Sequence, residues 1–533
     1  SFKTNKGAFH ASQFIDATYE GDLMAGVKVS YALGRESKKQ YGETLAGHQF
    51  PKKPVEVNPF NAAGKPLAFL TGNSLGKDNG DGKIMTYSFR IVISTDPANQ
   101  IPMPKPAAYD PARFELARRY IKATPKAAGR MVSVDGYPLP GRKIDLNNGI
   151  GRQISSGLVG ASWAWPEASY ADRKKIWEAH KQYTLELIWF LRTDPVVPEA
   201  VRKKFASYAL ANDEFQKYKG WPPALYVREG RRMIGEYILT QHDIRSNPKK
   251  KDSVGISSFP IDSHDCQRVP TANGKGWINE GTIFPLHING TRHGHPYQVP
   301  YRSLTPKRAQ CVNLLVPVCL SSSHVALSSI RVEPTWMMLG QSAGVAAAVA
   351  LKKKTDVQDV SYAQLKERLL KQKQVVDFPE GYMIGENLPA KLEKLPGIVL
   401  DDRVAKKKGL WNTSRNFRPY VGVGYIHDDN ASKGEASLTF ETNIKKSGRY
   451  DLCLAYSPHP SRASNVPLSI EADGQSQKIS VNQRLPLDSG LRFRTLKTLD
   501  LKAGQKVVIR LSNEDTDGFV VVDALQLLNH AEK

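Results

Sequence analysis

The chain predicts an α/β body followed by an all-β sandwich, and three features carry that reading. Residues 310–320, QCVNLLVPVCL, form an apolar run of the kind found in strands buried on both faces. Ser328–Leu351, SSIRVEPTWMMLGQSAGVAAAVAL, reads as a loop feeding a helix rich in small residues. Residues 397–533 hold short β-patterned runs separated by turns rich in Gly, Asn, Asp and Ser, the texture of an antiparallel sandwich.

The elements follow in chain order. Phe14 and Ile15 form a strand that ends at Asp16, with a Gly-containing turn and a helix from about Asp22. Residues 36–110 are loop-rich, with a β-like segment at Lys83–Ser94. From Asp110 to Leu239 apolar residues recur at helical spacing, through Arg173–Leu191 and Glu199–Tyr208, with Trp177, Trp189 and Phe190 as core. Residues 253–302 return to short strands and loops and contain His264, His287, His293 and His295. Pro334 suits the first turn of the small-residue helix, because its missing N–H costs nothing there. Gly340, Ala343, Gly344 and the alanines after them imply close backbone approach, either to another element or to a flat ligand at the helix N-terminus. An amphipathic helix at Ser361–Gln374 closes the body, and 376–396 read as a linker.

Composition narrows the class. With 533 residues the chain is too long for one core. No apolar run reaches about 18 residues, so no membrane span is expected, and no signal peptide is visible after Ser1. The net charge is +23; residues 401–533 contribute +4, so the excess lies in the body. It suits an anionic substrate or polymer, or a solvated lysine surface. Zinc-finger spacing, RNA-binding aromatics and basic zippers are absent, which argues against nucleic acid. The four cysteines form no CxxC pair.

The motifs, taken together, resemble a known family. FIDATYEGDLMAG at Phe14–Gly26, VGASWAWPEA, GWPPALYVREGRRMIGEYILTQHDI, SFPIDSHDCQ, YQVPYRSLTPK and Ser328–Ala348 are similar to the bacterial FAD-dependent oxidoreductase family, with its fumarate-reductase-like and glutathione-reductase-like folds. The resemblance implies an incomplete Rossmann-like FAD-binding domain, about 1–35 and 303–352, with an inserted α+β substrate region, about 36–302. These make a body of residues 1–375. The family's GxGxxG turn for the FAD pyrophosphate has no match: Gly149-Ile-Gly151 lacks the third glycine and Gly422-Val-Gly424 lies in the β-region. The expectation is that the chain begins after that unit and is a fragment or processed product. IVLDD at Ile398–Asp402, GLWNTS, VGVGYIHDD, GRYDLCLAYSPHPSRASNVP and DGFVVVDALQLL resemble the golvesin-type, xanthan-lyase-associated β-sandwich. That resemblance makes 397–533 a carbohydrate-binding module and points to a periplasmic or extracellular location.

By resemblance, FAD is the cofactor. Asp16, Ala17 and Thr18 lie on its pyrophosphate side, and Ser329, Ile330, Arg331, Gly340 and Gly344 beside the flavin. Oxidising a hydroxyl also needs a proton acceptor, and His264 in IDSHDC has a suitable ordinary pKa. Arg228 and Arg232 share a face if their run is helical, and Arg228 then grips an anionic substrate, unless Glu229 or Glu236 pairs with it. Tyr301 and Arg302 are further pocket candidates. His293 and His295 have HxH spacing but no carboxylate or cysteine partner in sequence, so no metal is assigned. Trp411, Tyr425 and Tyr456 offer a sugar-stacking platform, or core. The function expected is hydride transfer between flavin and a polar, carbohydrate-related small molecule. The alternative is a non-catalytic carbohydrate- or surface-binding protein; a lyase constellation is not visible.

Overall fold

A computed structural model describes residues 1–133, 138–149, 152–285, 293–378, 392–414, 420–488 and 492–532. His287, Ile150-Gly151 and most of the linker lie outside them. The chain forms two compact units, one of residues 1–285 and 293–377, the other from 378 onward.

The first unit mixes helices and sheets. Its largest sheet is antiparallel and runs Pro138–Leu139, Lys143–Asn148, Ile91–Ser94, Ala209–Ala211, Gln100–Pro102. The helix Tyr170–Thr193 packs its apolar stripe into the same core; Ser169 caps it by accepting a hydrogen bond from the Asp172 N–H. Leu187, Phe190 and Leu191 are fully buried, each contributing about 2 kcal/mol. A second core gathers around the helices His324–Ile330 and Glu333–Lys353. Phe14–Ile15 pairs in parallel with Leu314–Leu315.

Several local expectations are corrected. Ser328–Ile330 is not loop but the end of the helix His324–Ile330, whose cap is Ser323. The chain breaks at Arg331-Val332 and restarts as Glu333–Lys353. Pro334 explains the break: in a continuous helix it would leave the Ile330 carbonyl unpaired and clash with it. Only Leu314–Leu315 of the apolar run is strand, because Pro317 removes a ladder donor. The β-like segment at Lys83–Ser94 shortens to Ile91–Ser94. Arg228–Arg232 is extended rather than helical. Tyr226 bridges to Ser88 and Arg232–Met233 pairs with Tyr31–Ala32. Gly230 lets this run pass the Tyr19 carbonyl, which a Cβ would meet at 2.7 Å. Gly340 and Gly344 do not mark a close backbone approach, since a Cβ on either meets nothing within 4 Å.

The second unit is all-β. One antiparallel sheet runs Ile398–Asp401, Ala524–Asn529, Gly448–Ala455, Arg494–Leu501; another runs Lys406–Lys408, Ser437–Asn443, Lys506–Ser512, Val466–Ala472, Gln475–Val481. Their facing side chains share one core, including Phe440, Leu452, Ile470, Ile509 and Leu525. Of the two readings for the aromatic residues of this unit, the structure follows core rather than a stacking platform. Tyr425 and Tyr456 are buried in that core, and Trp411 packs partly against it.

Candidate active site

The loop Ile261–Cys266 is tied down residue by residue. The Asp262 N–H donates to the Ser328 carbonyl at 3.2 Å and the Ser263 N–H to the Ile283 carbonyl at 3.0 Å. The Asp265 carboxylate holds the Lys52 ammonium at 2.7 and 2.8 Å and accepts from Asn279 and Thr282. Ser263 Oγ lies 3.4 Å from His324 Nε2, and His324 Nδ1 lies 2.8 Å from Glu229. Glu229 and Glu36 both hold the fully buried Arg232, at 2.5 and 2.6 Å. This buried ionic network fixes both the loop and the start of the helix His324–Ile330.

Four side chains meet on that frame. Arg228 is 2 % exposed and has no carboxylate partner among the described residues. Its guanidinium donates to the Thr86 carbonyl, Ser88 Oγ and Asn148 Oδ1, while its Nε has no acceptor. Arg331 is 4 % exposed; it donates to the Asp262 carbonyl at 3.0 Å, lies 3.9 Å from the Asp262 carboxylate and also has a bare Nε. Asp262 keeps one carboxylate oxygen, Oδ1, unbonded, 4.0 Å from His264 Nε2. His264 Nδ1 contacts Asn148 Nδ2 at 3.1 Å. Unpaired buried polar atoms are costly, and four elements converge to place them here.

The charges follow from burial. Loss of water pushes the Asp262 carboxyl up to about 6, against the pull of Arg331 and Arg228. It lowers Arg228 to about 9, with Arg331 adding to the effect. His264 is driven well below its ordinary value, first by burial and then by Arg228 and Arg331. Around pH 7 the cluster therefore holds a neutral His264 and a charged Arg228, with the Asp262 carboxyl titrating close below.

Beside it lies a cavity of about 510 Å³ lined by five aromatic side chains, Tyr19, Trp165, Trp177, Phe215 and Tyr226, together with Glu20 and Arg90. Tyr226 is common to both places: Arg90 and Arg228 each lie against its ring, at 5.4 and 4.9 Å. Burial, with Glu333 next, raises the Tyr19 hydroxyl to about 12, and Tyr19 meets Trp336 edge-on at 5.0 Å.

Of the residues singled out in sequence, the structure brings together His264, Arg228 and Arg331. Tyr301 and Arg302 stand elsewhere: the Tyr301 hydroxyl donates to the Val357 carbonyl, and Arg302 lies 3.7 Å from Asp252 and over the Tyr237 ring. Ile330 is wholly in the core, and Ser329 Oγ is engaged by the Phe259 carbonyl and the Tyr297 hydroxyl. Both Asp16 oxygens accept hydrogen bonds, from Thr18 and the Met24 N–H, so Asp16 shapes the turn, while Ala17 and Thr18 are exposed. Gly340 and Gly344 lie roughly 10 and 16 Å along the helix from Glu333. Asp262, Asn148, Tyr226 and Arg90 were not singled out; Asp262 sits inside the quoted IDSHDC, whereas Asn148 carries no motif at all.

The residues fit the flavin end of FAD. Arg331 Nε and Trp336 Nε1 are buried donors without acceptors, beside a helix start that no side chain caps. They match the acceptor-rich pyrimidine edge of the ring. A glycine-rich pyrophosphate turn is not among these 533 residues. Among the described residues no three His, Cys, Asp or Glu side chains are placed to hold a metal ion, and no helix is long and apolar enough to cross a membrane.

Comparison with known proteins places the chain in a class. Residues 1–369 match the model of the FAD dependent oxidoreductase family, and the chain belongs to that family. Residues 398–529 match the Golvesin C-terminal domain. A xanthan lyase of Bacillus sp. (strain GL1) is 26% identical over 161 residues, 28% of this chain and 17% of the lyase, so the chain spans under a fifth of that relative. The solved Paenibacillus xanthan lyase is 31% identical over 25% of this chain and 13% of its own, with a TM-score of 0.23. A GH26-CBM35 β-(1,4)-mannanase of Podospora anserina is 16% identical over 26% of this chain and 28% of its own, with a TM-score of 0.19.

Proposed function

We propose that the protein oxidises a hydroxyl group of a polar, carbohydrate-like molecule at the Arg228–Asp262–His264–Arg331 cluster. The observation that carries this reading is the bare Asp262 Oδ1, a buried carboxylate oxygen with no partner beside two buried guanidinium groups. FAD, when bound, supplies the two-electron acceptor for the substrate's hydride. The O–H proton passes to Asp262, whose raised pKa of about 6 suits a base near neutrality. His264 donates from Nε2, and Arg228 and Arg331 hold negative charge that develops on the substrate oxygen. The aromatic cavity suits the apolar face of a sugar ring. Ser329, Ile330 and Asp16 hold the frame; Ala17, Thr18, Arg331 and the start of the helix Glu333–Lys353 line the cofactor side. The golvesin-like region, as a module for saccharide, supports a setting outside the cytoplasm.

The test is anaerobic mixing of the FAD-loaded, full-length gene product with neutral sugars, sugar alcohols and uronic acids. Bleaching of the flavin's visible band by one class, lost in Asp262→Asn, is expected. FAD-loaded protein that none of them reduces would refute this reading.

A further inference from the structure

Strand register draws a row of cations across one face of the five-stranded sheet. Leu438, Phe440, Leu468, Ile470, Ile509 and Leu511 point into the core, so alternation turns Thr439, Ser469 and Arg510 outward. Lys406 pairs with Thr439, Thr439 with Arg510, Arg510 with Ser469, and Ser469 with Lys478. The row therefore reads cation, hydroxyl, cation, hydroxyl, cation, with its three cations exposed. They stand two strands apart, roughly 10 Å, about the length of two sugar units in an extended chain.

Charge on this face is unbalanced. Lys408 and Lys506 join the three, against Glu441 and Glu471. Glu441 pairs with Lys406 and Lys506 at 2.8 and 2.9 Å, and Glu471 with Arg510 at 2.8 Å. Such exposed pairs are weak, so an incoming carboxylate can replace them. Among the described residues of the sheet's five strands, no aromatic side chain faces outward to stack a base. The outer face of the other sheet differs: Leu392, Leu395 and Val399 cover Cys453, Ala455 and Phe493 there.

We propose that the Lys406–Arg510–Lys478 row binds an acidic polysaccharide, carboxylates on the cations and ring hydroxyls on Thr439 and Ser469. The proposal rests on the saccharide reading of this unit and is independent of the flavin chemistry. The full chain is tested against polygalacturonate and its fully methyl-esterified form, with single-stranded DNA and anionic vesicles as other polyanions. Three proteins are compared: wild type, the triple variant K406Q/K478Q/R510Q, and a control triple K174Q/K352Q/K353Q with the same charge loss on the body. Wild type should bind polygalacturonate and not the ester, and the sheet variant should bind about tenfold more weakly. The control should stay within about twofold of wild type. Circular dichroism checks that each is folded. Equal losses in both triples, equal binding of the ester, no binding by wild type, or the same sheet-dependent loss with DNA or vesicles would each overturn the proposal.

Discussion

Asn148 fixes which nitrogen of His264 carries the proton. Its Oδ1 must face Arg228, which can only donate, at 3.0 Å. Its Nδ2 therefore faces His264 Nδ1 at 3.1 Å, leaving Nε2 as the N–H, directed towards Asp262. Asn148→Asp would put a carboxylate on both groups. It should raise the His264 pKa, because a carboxylate beside the ring favours the imidazolium. Imidazole nitrogen shifts followed with pH would show this, and an unmoved titration would contradict the assignment.

The base predicts a pH profile. Asp262 must be ionised to accept a proton, so kcat/KM with an oxidised substrate should rise through about pH 6 and level off above it. Asp262→Asn should lose that limb and lower kcat by about 10²- to 10⁴-fold while leaving FAD affinity near wild type. If the limb survives in the variant, Asp262 is not the base.

Two buried arginines of this unit should behave oppositely. Arg232→Met strands Glu36 and Glu229 without a cation and should destabilise the protein by about 3 to 5 kcal/mol. Arg228→Met removes a buried charge with no carboxylate partner, and should cost less than about 2 kcal/mol while raising KM sharply. Thermal melts and substrate titrations of both variants separate the structural arginine from the functional one.

A carboxyl group in the β-unit gives a stability prediction. Burial, with Asp401 adding to it, raises Asp402 to about 7 in the folded state. The folded value lies above the unfolded one. Its stability contribution is therefore present below the ordinary aspartate range and is lost as pH climbs to about 7. Asp402→Asn should stabilise this unit by about 1 kcal/mol at about pH 8, after solvent screening, and by little at about pH 4. Equal effects at both pH values would contradict it.

Periodicity made several elements legible in the sequence. The helix Tyr170–Thr193 and the strands of the β-unit fall where apolar spacing puts them, because each buries one regular face. What failed had local causes that spacing does not encode. Pro334 split an apparent loop-and-helix into two helices, Pro317 cut short a strand-like run, and backbone pairing drew Arg228–Arg232 out straight. In the site, His264, Arg228 and Arg331 were visible as residue types inside motifs. Asn148 was not, since it reaches His264 across 116 positions of sequence and only the fold brings them together. Gly340 and Gly344 looked like contact residues, yet space lies open above both.

The most direct measurement is an equilibrium titration of the full-length gene product with FAD, followed by flavin fluorescence and visible absorbance. The account predicts saturable uptake at micromolar affinity or tighter with a perturbed flavin spectrum, weakened at least about tenfold by Arg331→Ala. No uptake, or uptake indifferent to Arg331, would contradict a flavin seat beside the cluster.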